Sequence, residues 1–282
     1  MEENVITSVQ NARVKHVVAL QQKSSLRREE GLFVVEGQRE IEHCIACGYE
    51  IVELFIRSQE SGDWKLENTP TSTLVTPLVY EKMAYRGSTE GIIAIAKCKT
   101  HTLESLPLTP VNSPDSCLLT PHTSPLIVVL ESVEKPGNLG AILRTAEAAN
   151  VDAVIVCDPL TDLYNPNLIR ASIGGVFSVP VAVCTSKECI AFLKEHKVRI
   201  LTAQLQDSYD YYDYDMRQAT AIVMGTESTG LSQQWRDAAD VHIRIPMLGR
   251  LDSLNVSVSA AILMYEAVRQ RNKVYQHPDA RQ

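Results

Sequence analysis

Between residues 126 and 246 the chain alternates short apolar runs with longer helical stretches. The runs are "LIVVLES", "DAVIVCD", "VPVAVC", "RILTAQL", "TAIVMG" and "VHIRIP". They are rich in Val and Ile and lack the alternating polar positions of a half-exposed sheet, so they read as strands covered on both faces. Between several of them stand helical stretches such as "NLGAILRTAEAAN" and "SKECIAFLKEHK". This order predicts an α/β domain with a parallel sheet wrapped by helices. Ligands should gather at the carboxyl ends of its strands.

Residues 105–125, "SLPLTPVNSPDSCLLTPHTSP", break all periodicity. Pro107, Pro110, Pro114, Pro121 and Pro125 exclude a continuing helix or central strand, so a linker is expected over 105–124. Before it, "LFVVEG", "IVELFIR", "STLVTP" and "GIIAIAKC" alternate with helices over Gln38–Cys47 and Leu78–Tyr85. That half, residues 1–104, predicts a small sheet with helices on its faces, with no nucleophile, metal cluster or glycine-rich loop. Recognition is the role left to it. Residues 125–282 form the second expected domain. Two domains suit a length of 282 residues, at roughly 100–200 residues each.

No apolar run reaches the length of about 18 residues that a membrane span requires, and the polar start "MEENVITSVQNARVKH" lacks a signal core, so the cytoplasm is expected. The seven cysteines are scattered. Cys44 and Cys47 make a C-x-x-C beside His43, but no second pair follows, and buried structural thiols are the favoured reading. The net charge of −7 confines any RNA-binding surface to a local patch. Arg13, Lys15, His16, Lys23, Arg27 and Arg28 are candidates, although Glu29 and Glu30 favour an ordinary solvated helix face.

Three junctions between strand and loop carry the candidate chemistry. In "ESVEKPGNLGAILRTAEAAN" a strand ends near Glu131, and Asn138 is placed to cap a helix that carries Arg144. The glycines there form only G-x-x-G, which argues against a dinucleotide site. In "IVMGTESTGLSQQW" Gly225 permits close backbone approach, Glu227 follows, and Ser232 is placed to cap the next helix. In "IRIPMLGRLDSLNVSVSAAILMYEAV" a proline stops a strand, a loop follows, and a helix opens on Ser253, Asn255, Val256, Ser257 and Val258. Valines and serines are mediocre helix formers, so that helix start needs another reason.

In this order and spacing the junctions resemble the SpoU (TrmH-type) branch of the SPOUT RNA methyltransferases. "PGNLGAILRTAEAA", "MGTESTGLS" and "IPMLGRLDSLNVSVSAAILMYE" look like its three motifs, and the likeness covers nearly the whole chain. The resemblance implies a parallel-sheet α/β domain closed by a deep trefoil knot, preceded by a small L30e-like α/β/α domain that binds substrate. It implies a homodimer and S-adenosylmethionine held in the knot's loops. Small and β-branched residues at Val256, Ser257, Val258 and Ala260 would then let the last helix start tightly against neighbouring backbone.

Carried over residue by residue, Gly225, Ile245 and Leu254 match positions that contact the cofactor, with Thr202 and Met247 in adjoining loops. Asn138, Arg144, Glu227, Ser253 and Asn255 match the polar set around the ribose and its phosphate. The implied reaction is methyl transfer from a sulfonium to a ribose 2′-hydroxyl of rRNA or tRNA, which requires no metal. The family proposal makes the arginine a general base. A guanidinium has a pKa above about 12, so a charged Arg144 that binds phosphate and stabilises the developing alkoxide fits the physics better, with Glu227 as alternative proton acceptor. A catalytically silent RNA-binding protein of the same fold is the rival reading. Departures from the family pattern include Asn150, where glycine is usual, and the acidic, tyrosine-rich segment 207–218. Packing or a dimer contact is the role expected of that segment.

Overall fold

A computed structural model of the protein describes residues 5–58, 72–85, 90–108, 124–226 and 228–272. The first helices form where their ends are satisfied locally. Helix α1 (Ala12–Gln22) starts on Asn11, whose side chain accepts from the Arg13 amide, and α2 (Ser24–Glu30) ends at Gly31 in the left-handed region. There follow β1 (Leu32–Glu36), α3 (Gln38–Ala46), β2 (Ile51–Arg57), β3 (Ser72–Val75), α4 (Pro77–Met83) and β4 (Ile92–Lys97). These strands make a mixed sheet in the order β1-β4-β2-β3, antiparallel except between β2 and β3. Val14, Val17 and Leu20 of α1 and Val79, Tyr80 and Met83 of α4 pack with Phe55, Ile93 and Ile95 of the sheet.

The second sheet is entirely parallel and runs β7-β6-β5-β10-β8-β11-β9. Its strands are β5 (Leu126–Glu131), β6 (Ala153–Cys157), β7 (Val181–Cys184), β8 (Arg199–Ala203), β9 (Tyr209–Asp210), β10 (Thr220–Met224) and β11 (Val241–Arg244). Every residue of β5, β6 and β10 is buried, as continuous apolar runs require. Helices α5 (Pro136–Ala148), α8 (Ser186–Glu195), α9 (Gln233–Ala238) and α10 (Val256–Asn272) join or follow these strands. Thr185 and Glu188 close a capping box on α8, and Asn150 ends the α5 turn at a φ of 50°. The order reverses between β5 and β10, which opens a crevice outside their carboxyl ends.

The chain divides into two compact units, Met1–Thr100 with Asp162–Ser178, and His101–Thr161 with Val179–Gln282. A single cut at the proline-rich segment does not describe this packing. Helices α6 (Pro166–Ser172) and α7 (Gly175–Ser178) lie in the first unit's set of residues although they follow β6 in sequence. Asp162 pairs with the guanidinium of Arg27, which is buried and also donates to the Gln21 carbonyl at 3.1 Å. Tyr164 stacks on Phe33 at 4.2 Å, and Phe177 meets Tyr49 edge-on at 5.2 Å. Leu103 and Leu106, expected at the edge of the linker, are buried in the second unit's core. Residues 109–123 of the expected linker lie outside the described residues.

Much of the basic patch expected on the first helices is neutralised. Besides Arg27, Arg13 reaches Glu53 at 3.4 Å and Thr73 at 2.8 Å, and His16 lies 2.6 Å from Glu30. Lys15, Lys23 and Arg28 remain exposed. Cys44 is buried in α3, and burial pushes its thiol up to about 12, which suits the structural reading of the C-x-x-C. Among the described residues no helix is long and apolar enough to cross a membrane.

Candidate functional site

The carboxyl ends of β8, β10 and β11 open onto a cavity of about 400 Å³. Its walls include Gly225 and Thr226 after β10, Ile245 and Met247 after β11, and Ser253, Leu254 and Val256 at the entry to α10. Gly225, Ile245, Met247 and Leu254 therefore converge on one cavity, as expected, and Ser253 joins them. Thr202 does not. It is fully buried in β8, and its hydroxyl lies 2.6 Å from Nδ1 of His242. Its place in a strand covered on both faces turns it inward, and the following Ala203 and Gln204 reach the cavity instead.

Gly225 is required by close approach. A Cβ there would stand 2.2 Å from the Gly230 carbonyl oxygen and 2.6 Å from the Leu231 nitrogen. These are backbone atoms of the loop that folds back on β10, so they have no rotamer by which to move aside. The far end of that loop is held by Glu131, the buried last residue of β5. Its carboxylate accepts from the Ser232 amide at 2.8 Å and the Ser232 hydroxyl at 2.6 Å. Ser232 stands at the N-cap of α9, but its side chain makes no cap bond there; the hydroxyl goes to Glu131. The role of Glu131 went unread in the sequence. The available signal was a carboxylate closing an otherwise apolar strand, where burial demands a donor.

Asn138 and Asn255 come together. Asn255 Oδ1 accepts from the Ser257 amide at 2.9 Å and hydroxyl at 2.6 Å, so it caps α10, while Nδ2 donates to Asn138 Oδ1 at 3.1 Å. The cap and the cross-chain contact thus use opposite ends of one amide. Asn138 is not the N-cap of α5. The helix starts at Pro136, capped by Lys135 without a side-chain bond, because proline presets the first helical residue. Asn138 instead lines a recess with Val133, Lys135, Gly225, Thr226 and Val256, where the sheet order reverses. Gly225, Thr226, Ser228 and Val256 border both this recess and the larger cavity.

Arg144 lies on α5, exposed, lining neither space and making no hydrogen bond or ion pair among the described residues. Glu227 lies outside the described residues. At the start of α10, Val256 and Ala260 are buried as expected, whereas Val258 is exposed. Segment 207–218 packs onto the last helix. Gln270 accepts from the Met216 amide and donates to the Tyr214 carbonyl, and Asp210 takes Arg244 at 2.7 Å.

Of the two arginines on the cavity wall, Arg244 is paired with Asp210. Among the described residues Arg236 has no ion-pair partner and its buried Nε has no acceptor. A buried unpaired guanidinium nitrogen is costly, so this wall suits a ligand that carries an anionic group. The volume is that of a small-molecule or cofactor site, and the backbone loops around it suit recognition through amide and carbonyl groups.

A cofactor-sized cavity at the carboxyl ends of a parallel sheet, with a polar amide pair beside it, defines a ligand-binding α/β protein. The chain belongs to the SpoU rRNA methylase family, which it matches over residues 125–265. Residues 11–94 match the MRM3-like substrate binding domain. A putative TrmH family tRNA/rRNA methyltransferase of Staphylococcus haemolyticus is 40% identical over 149 residues, 52% of this chain and 60% of that relative's length. The crystal structure of an RNA 2′-O ribose methyltransferase is 36% identical with a TM-score of 0.78, covering 95% of this chain and 99% of that one. An AdoMet-bound rRNA methyltransferase from Sinorhizobium meliloti is 26% identical with a TM-score of 0.82, covering 94% and 97%.

Proposed function

We propose that this protein transfers a methyl group from S-adenosylmethionine to a ribose 2′-hydroxyl of ribosomal RNA. The observation that carries this reading is the Asn255–Asn138 bond, which joins the first and third motifs of a SpoU-family chain beside the cavity lined by Gly225, Ile245, Met247 and Leu254. The cofactor, when bound, supplies an electrophilic methyl carbon on a sulfonium. The chain's own residues orient the reactants and handle charge. The loops after β10 and β11 grip the ligand through backbone, and the amide pair positions the ribose at the recess. Arg144 binds the adjoining phosphate through its guanidinium and stabilises the developing alkoxide, and Glu227 is the candidate proton acceptor.

On this reading the first unit, with the L30e-like arrangement implied by the sequence, recognises RNA, and the second closes through a trefoil knot. The protein works as a homodimer in the cytoplasm. Val258 and Tyr265, seven residues apart and so on one face of α10, are exposed apolar side chains that support the dimer, since apolar groups left on one helix face mark an interaction surface.

Purified protein incubated with labelled cofactor and deproteinised ribosomal RNA is expected to leave label in alkali-stable dinucleotides, since a 2′-O-methyl group blocks the hydroxyl that cleaves the chain. Label confined to bases, or no transfer to any ribosomal RNA, sinks the proposal.

Arg236 is assigned to the carboxylate of the cofactor's methionine portion. Arg236→Gln is expected to weaken binding of S-adenosylmethionine and S-adenosylhomocysteine about 10–100-fold, the loss of one charged hydrogen bond at about 1.5–3 kcal/mol. Methylthioadenosine, which lacks the carboxylate, should bind both proteins alike in calorimetry. Equal weakening of all three ligands would show a damaged pocket instead, and no weakening would place the carboxylate elsewhere.

A further inference from the structure

Three thiols converge at the other end of the parallel sheet's carboxyl edge. Cys157 closes β6, Cys184 closes β7 as its register partner, and Cys189 stands near the start of α8. Their sulfur atoms all lie within 4.8 Å of one another. Cys157 and Cys189 are buried, and Cys184 is half-buried, which gives the trio one side open to solvent. No sequence spacing announces the group, because the residues come from three separate elements.

Single buried cysteines behave as small hydrophobes. Three that face a common point also form a donor set. A zinc–sulfur bond of about 2.3 Å fixes the sulfur–sulfur edge of a tetrahedral site at roughly 3.8 Å, so the trio needs to close by no more than about 1 Å. Cys184, the half-buried member, directly precedes Thr185, the N-cap of α8. The amino end of α8 favours a thiolate at that position. Soft thiolate sets select zinc or copper(I) over hard cations.

We propose that Cys157, Cys184 and Cys189 bind a zinc(II) ion through three thiolates, with water from the Cys184 side in the fourth position. As the three zinc–sulfur bonds form, the three thiol protons pass to solvent, so affinity rises with pH. The site is separate from the cofactor cavity, but the two are joined by hydrogen bonds. Ser186, on the first turn of α8, donates to Asp158 at 2.6 Å and to Glu131 at 3.3 Å, and Glu131 holds Ser232 at the end of the cofactor loop.

The test uses the full chain, phosphine-reduced and stripped with a chelator, then titrated with zinc(II) against a colorimetric competitor. One zinc per chain is expected, with affinity at least 100-fold weaker in Cys184→Ser. Cobalt(II) should give a thiolate charge-transfer band in the wild type that falls by about one third in that variant. No zinc above a stoichiometry of one half, equal affinity in Cys184→Ser, or a cobalt spectrum without the band would each overturn the site. Should Cys184→Ser fail to fold, Cys189→Ala gives the same readouts.

Discussion

Gly225→Ala is expected to remove cofactor binding, weakening it more than 100-fold, about 2.7 kcal/mol, and to lower the melting temperature. A methyl group there would overlap the Gly230 carbonyl, with 2.2 Å to its oxygen and 2.3 Å to its carbon. Both partners are backbone, and the loop is tied down at its far end by Glu131 through Ser232. The loop must therefore shift as a whole or stretch those bonds, and overpacking of this kind costs roughly 1–3 kcal/mol. The shift moves Thr226, Ser228 and Thr229, which are part of the cavity wall. Calorimetry with S-adenosylhomocysteine and a melting curve check both effects. An alanine variant that binds within a few-fold of the native protein would show that the loop yields and that Gly225 is no contact.

Arg144→Ala is expected to reduce methyl transfer at saturating cofactor and RNA by about 10³-fold, in the range for a lost transition-state donor, with cofactor affinity unchanged within twofold. Arg144 stands on α5, the helix that also carries Asn138, exposed and without an ion-pair partner among the described residues. It lies outside the cavity lining, so its loss leaves cofactor contacts in place. Held by no carboxylate among the described residues, its charge is available to an RNA phosphate. Arg144→Lys should rescue little, because a point charge does not reproduce bidentate phosphate geometry. Single-turnover assays give the rate and calorimetry the affinity. Retained turnover would remove Arg144 from the machinery, and collapsed cofactor binding would move it into the other site.

The alternation of Val- and Ile-rich runs with helices determined the parallel sheet, since a strand without polar alternation has to be covered on both faces. Chain order and turn chemistry located the loops after β5, β10 and β11, and Gly225 was legible because a glycine directly after a buried strand signals close approach. The sequence by itself could not show that Asn255 caps a helix and holds Asn138 with the same amide, since the second contact spans 117 positions. Thr202, expected in a loop, lies within β8 because that strand runs on to Ala203, and only the pairing with β10 and β11 fixes where the strand ends and the cavity begins. The tertiary structure alone decided that Asp162–Ser178 packs with the first unit, that Glu131 holds the cofactor loop, and that Cys157, Cys184 and Cys189 meet. Local propensity and periodicity act over a few residues, whereas burial of a charge or the convergence of side chains depends on which distant elements pack together.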